Sequence, residues 1–156
     1  MKIQRHFTKE GKSAYADFKF VKRTSEIKNI DGSITSAMDV TVPDTWSQVA
    51  TDIIAQKYFR KSGVPQKDSK GKLIIDDAGN PVLASETYAR EVFDRLSFCW
   101  RDWGERYNYF DTKADADAFQ AELQFMLANQ MAAPNSPQWF NTGLHASYGI
   151  TGKAQG

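Results

Sequence analysis

The chain has 156 residues, 41% of them hydrophobic and 25% charged, with a formal net charge of +1. These values fit one globular domain and argue against a disordered or fibrous polymer. One cysteine, Cys99, excludes an internal disulfide framework and a multi-cysteine zinc site.

No apolar run reaches the roughly 18 residues of a membrane helix. The basic start, MKIQRHFTKEGKSAYADFKF, lacks the hydrophobic segment of a signal peptide. No membrane partner is expected, and the cytoplasm is the expected compartment. The charge is unevenly spread: residues 1–30 hold eight Lys/Arg against three Asp/Glu, so the remainder is acidic. A basic arm of this kind can contact nucleic acid, nucleotide phosphates or an acidic partner. It also reads as a solvated edge, because no basic run is dense or interleaved with stacking aromatics. His6 and His145 stand far apart with no H-x-x-H spacing, so no metal site is expected.

The elements begin with β structure. Tyr15, Phe18, Phe20 and Val21 form an aromatic and β-branched stretch, and the turn pair Asp31-Gly32 separates EIKNI from ITSAMDVTV as in a hairpin. Pro43 stops the ladder. A first helix is predicted from the cap Asp44, with a buried stripe of Trp46, Val49, Ala50, Ile53, Ile54 and Tyr58, and a stop at Gly63 before Pro65. Residues 66–84 read either as a small exposed hairpin around Asp77-Ala78-Gly79-Asn80 or as a flexible loop. Ser85 with Glu86 is expected to start a second helix whose buried face is Tyr88, Val92, Phe93, Leu96, Cys99, Trp100 and Trp103. That helix ends at Gly104 or continues to about Tyr107. Asp111 or Thr112 caps a third helix with the stripe Ala116, Phe119, Leu123, Met126, Leu127 and Gln130, ended by Pro134. The tail after it shows neither helical nor strand periodicity. The fold class is therefore α+β, mainly helical: a basic β-hairpin arm over 1–43, a helical region over 44–132, and an irregular tail over 133–156.

Most catalytic templates are absent: there is no G-x-G-x-x-G, no G-x-x-x-x-G-K-[ST] and no G-x-S-x-G. One stretch differs. In 132–143, AAPNSPQWFNTG, Pro134 and Pro137 restrict the backbone on both sides of Asn135-Ser136. Such a loop can present a hydroxyl, an amide and free backbone N–H groups in a fixed array suited to a phosphate or a sugar hydroxyl. By spacing alone it reads first as a structural turn.

The run M-A-A-P-N-S-P-Q-W-F-N-T-G-L from Met131 to Leu144 resembles a signature of the adenosylcobalamin-dependent (class II) ribonucleotide reductases. Further pieces agree in order: D-G-S-I at Gly32, V-P-D-T-W-S-Q-V-A around Trp46, A-Q-K-Y-F-R-K-S-G-V-P ending at Pro65, and W-x-x-W-G from Trp100 to Gly104. The likeness is weakest over 66–84.

The resemblance implies an amino-terminal, mainly helical region packed against a ten-stranded α/β barrel, into which the tail would lead. It implies an enzyme that replaces a ribose 2′-hydroxyl with hydrogen through a thiyl radical generated by adenosylcobalamin. Its partners would be the remaining carboxyl-terminal part of the reductase, a ribonucleotide substrate (di- or triphosphate) and a thioredoxin-type reductant. The family often forms homodimers. The resemblance assigns substrate contact to Ser136, with neighbouring Asn135 and Gln138, and loop support to Pro137, Trp139, Phe140 and Asn141. No catalytic residue is expected here, because the mechanism needs several cysteines and the chain has one. Two other functions fit the bare sequence: a protein-interaction adaptor using the aromatic tail, and a nucleic-acid binder using the basic arm.

Overall fold

A computed structural model describes residues 1–153. Strands β1 (Phe20–Lys28) and β2 (Ile34–Pro43) form the expected antiparallel hairpin, with Val21 opposite Val42 and Glu26 opposite Ala37. Gly32 takes the left-handed conformation of the turn (φ 84°), and the Asp31 carboxylate accepts from Ser33 N at 2.8 Å. Alternation buries Val40 and Val42. Tyr15 and Phe18, predicted in the strand, lie in a turn before it. There Phe18 N bonds Tyr15 O, and both rings pack edge-on with Phe20 or each other.

Helix α1 (Gln48–Ile53) starts later than Asp44 suggests, with Ser47 accepting from Ala50 N as the cap. The cause is Arg23 of β1, whose guanidinium takes the carbonyls of Asp44 and Trp46. A π-helical turn, Ile54–Tyr58, follows α1 and closes with Phe59 N on Ile54 O at 2.8 Å. Ile54, Ala55 and Phe59 of this turn and its cap are buried, while Val49 and Ile53 of the predicted stripe, which precede it in α1, are exposed. The helical run thus ends at Tyr58, five residues before Gly63. The 66–84 insert is a hairpin: β3 (Val64–Pro65) pairs with β4 (Leu83–Ala84), and bridges at Lys67/Leu73 and Ile75/Pro81 continue it outward.

The long helices are α2 (Ala89–Arg106) and α3 (Lys113–Ala128). Glu86 and Thr87 were expected inside the first turn of α2. Their backbone bonds go elsewhere, Glu86 N to Arg60 O and Thr87 O to Thr41 N, and the helix waits until Ala89. It runs through Gly104, where an added Cβ would stand 2.4 Å from the Phe110 ring. Val92, Phe93, Leu96 and Cys99 are buried as predicted, whereas Trp103 is half exposed. Thr112 caps α3 in a capping box with Asp115. The α3 stripe is shifted: Ala116 and Leu127 are buried with Ala118, Glu122 and Ala128, and Gln130 is exposed.

The first eight residues lie along α3. His6, Phe7 and Thr8 donate their backbone N–H groups, and Thr8 its hydroxyl, to the Glu122 carboxylate at 2.7–3.2 Å. Phe7 stacks on Phe125 with centroids 5.1 Å apart. The basic start is therefore a docked strap leading into the hairpin.

The tail, expected to be irregular, forms two short helices, α4 (Ser136–Asn141) and α5 (Leu144–Tyr148). At six and five residues they are too short to show periodicity and too short to persist alone. Tertiary bonds hold them. One core joins these parts, with Val40, Val42, Trp46, Phe59, Phe93, Leu96, Leu127 and Trp139 in a single cluster. Among the described residues no helix is long and apolar enough to cross a membrane.

Candidate functional site

The segment after α3 is fixed at its start by Trp46, whose indole Nε1 donates to Ala128 O at 2.8 Å and so occupies a terminal carbonyl of α3. Pro134 then prevents the helix from resuming. Asn135 caps α4, its side chain accepting from Gln138 N at 3.3 Å, and Pro137 sits in the first turn where no N–H is needed. Asn141 closes the same turn by donating to Pro137 O at 3.0 Å.

Of the residues singled out in sequence, Asn135, Ser136, Pro137 and Gln138 face solvent, while Trp139 is buried and Phe140 half-buried beneath them. Trp139 stacks on Tyr58 (5.7 Å, 16°) and Phe140 tilts against the same ring (5.2 Å, 53°). The Tyr58 hydroxyl reaches Ser136 Oγ at 3.2 Å. The structure thus brings all seven residues together as one short helix and its Asn135 cap, with the polar edge outward and the aromatic edge inward.

The backbone of this helix is held from below by Arg95, a residue that sequence reasoning passed over. Its side chain is wholly buried. The guanidinium donates to Trp139 O at 2.7 Å, Thr142 O at 2.8 Å and Tyr58 O at 3.3 Å. These carbonyls belong to the last turns of α4 and of the π-helical segment, or just beyond, where intrahelical donors have run out. Arg95 also forks onto Glu86, with Nε–Oε2 at 3.0 Å and Nη2–Oε1 at 3.3 Å. Glu86 accepts further from Arg60 N at 2.7 Å and from the Tyr148 hydroxyl at 2.6 Å. The buried pair is therefore fully hydrogen-bonded, the condition under which a buried ion pair is tolerated.

The electrostatics follow from that centre. Burial, with the Glu86 charge beside it, raises the Tyr148 phenol far above its ordinary range, so it stays a donor. Glu91, one turn into α2, is raised to about 7 by burial and by repulsion from Glu86. Burial also pushes the Cys99 thiol up, which leaves it the poor nucleophile expected of a thiol on an apolar helix face. Gly143 links α4 to α5 at φ 84°, and a Cβ there would lie 2.1 Å from Arg95 O. Only glycine fits that approach.

Sequence signals for this clamp were slight. Arg95 falls between Val92 and Leu96 on the predicted buried face, an ionisable residue where an apolar one is expected. Glu86 stood only as a helix starter. Beside the loop lies an apolar cavity of about 220 Å³ lined by Trp46, Ile54, Tyr58, Leu127, Ala132 and Trp139. A more polar one of about 510 Å³ lies behind α4, between Cys99, Arg106, Asn141 and His145. Among the described residues no group of three or more His, Cys, Asp or Glu is placed to hold a metal ion.

Comparison with known proteins agrees with this architecture. Residues 21–130 match the family described as class II vitamin B12-dependent ribonucleotide reductase. The chain is 50% identical to the vitamin B12-dependent ribonucleotide reductase of Agrobacterium fabrum and 48% identical to that of Bradyrhizobium diazoefficiens. Each comparison covers 100% of this chain and 14% of the relative. The protein of the same name from Streptomyces clavuligerus is 34% identical over 92% of this chain and 13% of its own length. The chain therefore spans about a seventh of the length of these relatives. With its family pattern running from β1 to the end of α3, it belongs to the class II vitamin B12-dependent ribonucleotide reductases.

Proposed function

We propose that the chain is the amino-terminal portion of a cobalamin-dependent ribonucleotide reductase, and that it gives scaffold packing and one wall of the nucleotide pocket. The reaction of the complete enzyme is the replacement of a ribose 2′-hydroxyl by hydrogen. One observation carries the assignment of the wall. Ser136 is exposed at the start of α4 while the backbone of that helix is held by a guanidinium with no solvent exposure. Preorganised donors of this kind bind a ligand oxygen without first having to be ordered. Ser136 is the substrate contact in this reading, with Asn135 and Gln138 beside it. Pro137, Trp139, Phe140 and Asn141 keep the loop in shape.

The radical chemistry belongs to the rest of the polypeptide. Reduction of the sugar needs several thiols, and this chain has only Cys99, which is buried. Adenosylcobalamin would be bound by the complete enzyme, mainly outside these residues. The remaining carboxyl-terminal part, reached through 133–156, would hold the cofactor and the reactive cysteines, and a thioredoxin-type reductant would renew them. A cytoplasmic homodimer is the form this reading expects.

The test is Ser136→Ala in the complete reductase. Loss of one hydrogen bond, about 1 kcal/mol, should raise KM about fivefold with little change in kcat. Unchanged KM and kcat would remove Ser136 from the site.

A further inference from the structure

We propose that Tyr58 is a positioning residue for the substrate contact of Ser136: its phenol donates to Ser136 Oγ and so turns the serine proton outward, toward an acceptor oxygen of the nucleotide. This rests on the reading of Ser136 given above and adds a residue and a direction to it.

Three independent observations meet at Tyr58. Its hydroxyl lies 3.2 Å from Ser136 Oγ at the exposed edge of α4. Its ring is fixed by the Trp139 stack and by Phe140, two residues of the same helix. Its carbonyl is one of the three held by Arg95, whose other two lie in or just after α4. Tyr58 and Ser136 are 78 residues apart in sequence, yet ring, hydroxyl and backbone of one are registered against the other. The device that aims the ring is the π-helical turn. Its additional residue rotates position 58 relative to α1, and turns of this kind recur at functional sites.

The direction of the hydrogen bond follows from acidity. A phenol is a stronger acid than an aliphatic alcohol, hence the better donor and the poorer acceptor. With Tyr58 donating, the serine oxygen is an acceptor on its protein side and its own proton is free. Polarisation along such a chain strengthens the outward donor. A phosphoryl or ribose oxygen, rich in lone pairs, is the matching ligand group. No bond is made or broken, and only one proton is aimed.

The experiment uses the complete reductase and a double-mutant cycle of Tyr58→Phe and Ser136→Ala, read by KM and kcat, with the thermal midpoint of each variant. Tyr58→Phe keeps the ring contacts and the carbonyl bond and removes only the hydroxyl. The expected result is KM raised about two- to fivefold, no more than in Ser136→Ala, with kcat within twofold and an unchanged midpoint. The double variant should then be no worse than Ser136→Ala alone, because Tyr58 acts only through that serine. A wild-type KM in Tyr58→Phe overturns the proposal. So do additive effects in the double variant, which would mean separate roles. If Tyr58→Phe lowers the midpoint and kcat together, the residue is structural and the proposal also falls. Failure of the underlying reading is distinct: Ser136→Ala would itself be silent.

Discussion

Replacing Arg95 with methionine should cost this fold about 4 kcal/mol. The substitution keeps a long apolar stem but removes the guanidinium that meets Glu86 and three carbonyls. Both partners of the pair have side chains with no solvent exposure. Removing one partner of such a pair typically costs about 3–5 kcal/mol, since the other charge is left without compensation. Two features place Arg95 within that range rather than beyond it. Glu86 keeps two donors, Arg60 N and the Tyr148 hydroxyl, and water can reach the half-buried Thr142. For a chain of this size each kcal/mol moves the thermal midpoint by about 2–4 °C, so the shift should be about 8–16 °C downward. Urea unfolding followed by tryptophan fluorescence gives the free energy directly, because buried Trp139 reports on α4. The double variant Arg95→Met with Glu86→Leu removes the orphaned charge and should be more stable than Arg95→Met alone. A loss below about 1 kcal/mol for Arg95→Met, or a double variant less stable than the single, would refute the clamp.

Three further perturbations probe separate parts. Gly143→Ala should destabilise by several kcal/mol and unseat α5, since the new methyl would meet Arg95 O at 2.1 Å in a left-handed backbone; circular dichroism and urea midpoints measure it. Glu122→Ala should free the strap, and hydrogen exchange at His6, Phe7 and Thr8 should rise by more than tenfold while α2 amides stay protected. Glu91 gives a pH dependence. Its folded pKa of about 7 lies above the ordinary carboxylate value of 4.5, so the folded state binds more protons between those values and stability falls as pH rises through about 4.5–7. Discounted for its partial exposure and its place at a helix start, the loss is about 1–2 kcal/mol. Glu91→Gln should flatten the stability profile over that window, and a slope unchanged in the variant would contradict the assignment.

The local features of this fold could be read from the sequence, and the long-range ones could not. The Asp31-Gly32 turn and a cap at Asp111 or Thr112 are short-range chemistry, and the structure has the turn at Gly32 and the cap on Thr112. The stripe on α1 failed at Val49 and Ile53, which that six-residue helix leaves exposed, and no residue type announces the π-helical turn that follows it. Helix α4 was legible as a proline-restricted loop but not as a helix with Asn135 as its cap, since six residues hold less than two turns of pattern. The Glu86–Arg95 pair joins residues nine apart, one ahead of α2 and one within it, then reaches 47 residues on to Thr142. Its only trace was a cation on an apolar face. Glu122 left less still, because apart from the Thr8 hydroxyl its partners are backbone amides, which every sequence contains.

The most direct measurement is deoxyribonucleotide formation from ribonucleotide, adenosylcobalamin and a dithiol, with this chain alone, with the complementary carboxyl-terminal part alone, and with both. A pocket wall without radical thiols should give product only in the mixture, and Ser136→Ala in the chain should raise the KM of that mixture. Product from the chain alone, or full activity from the complementary part without it, would contradict the assignment of this region.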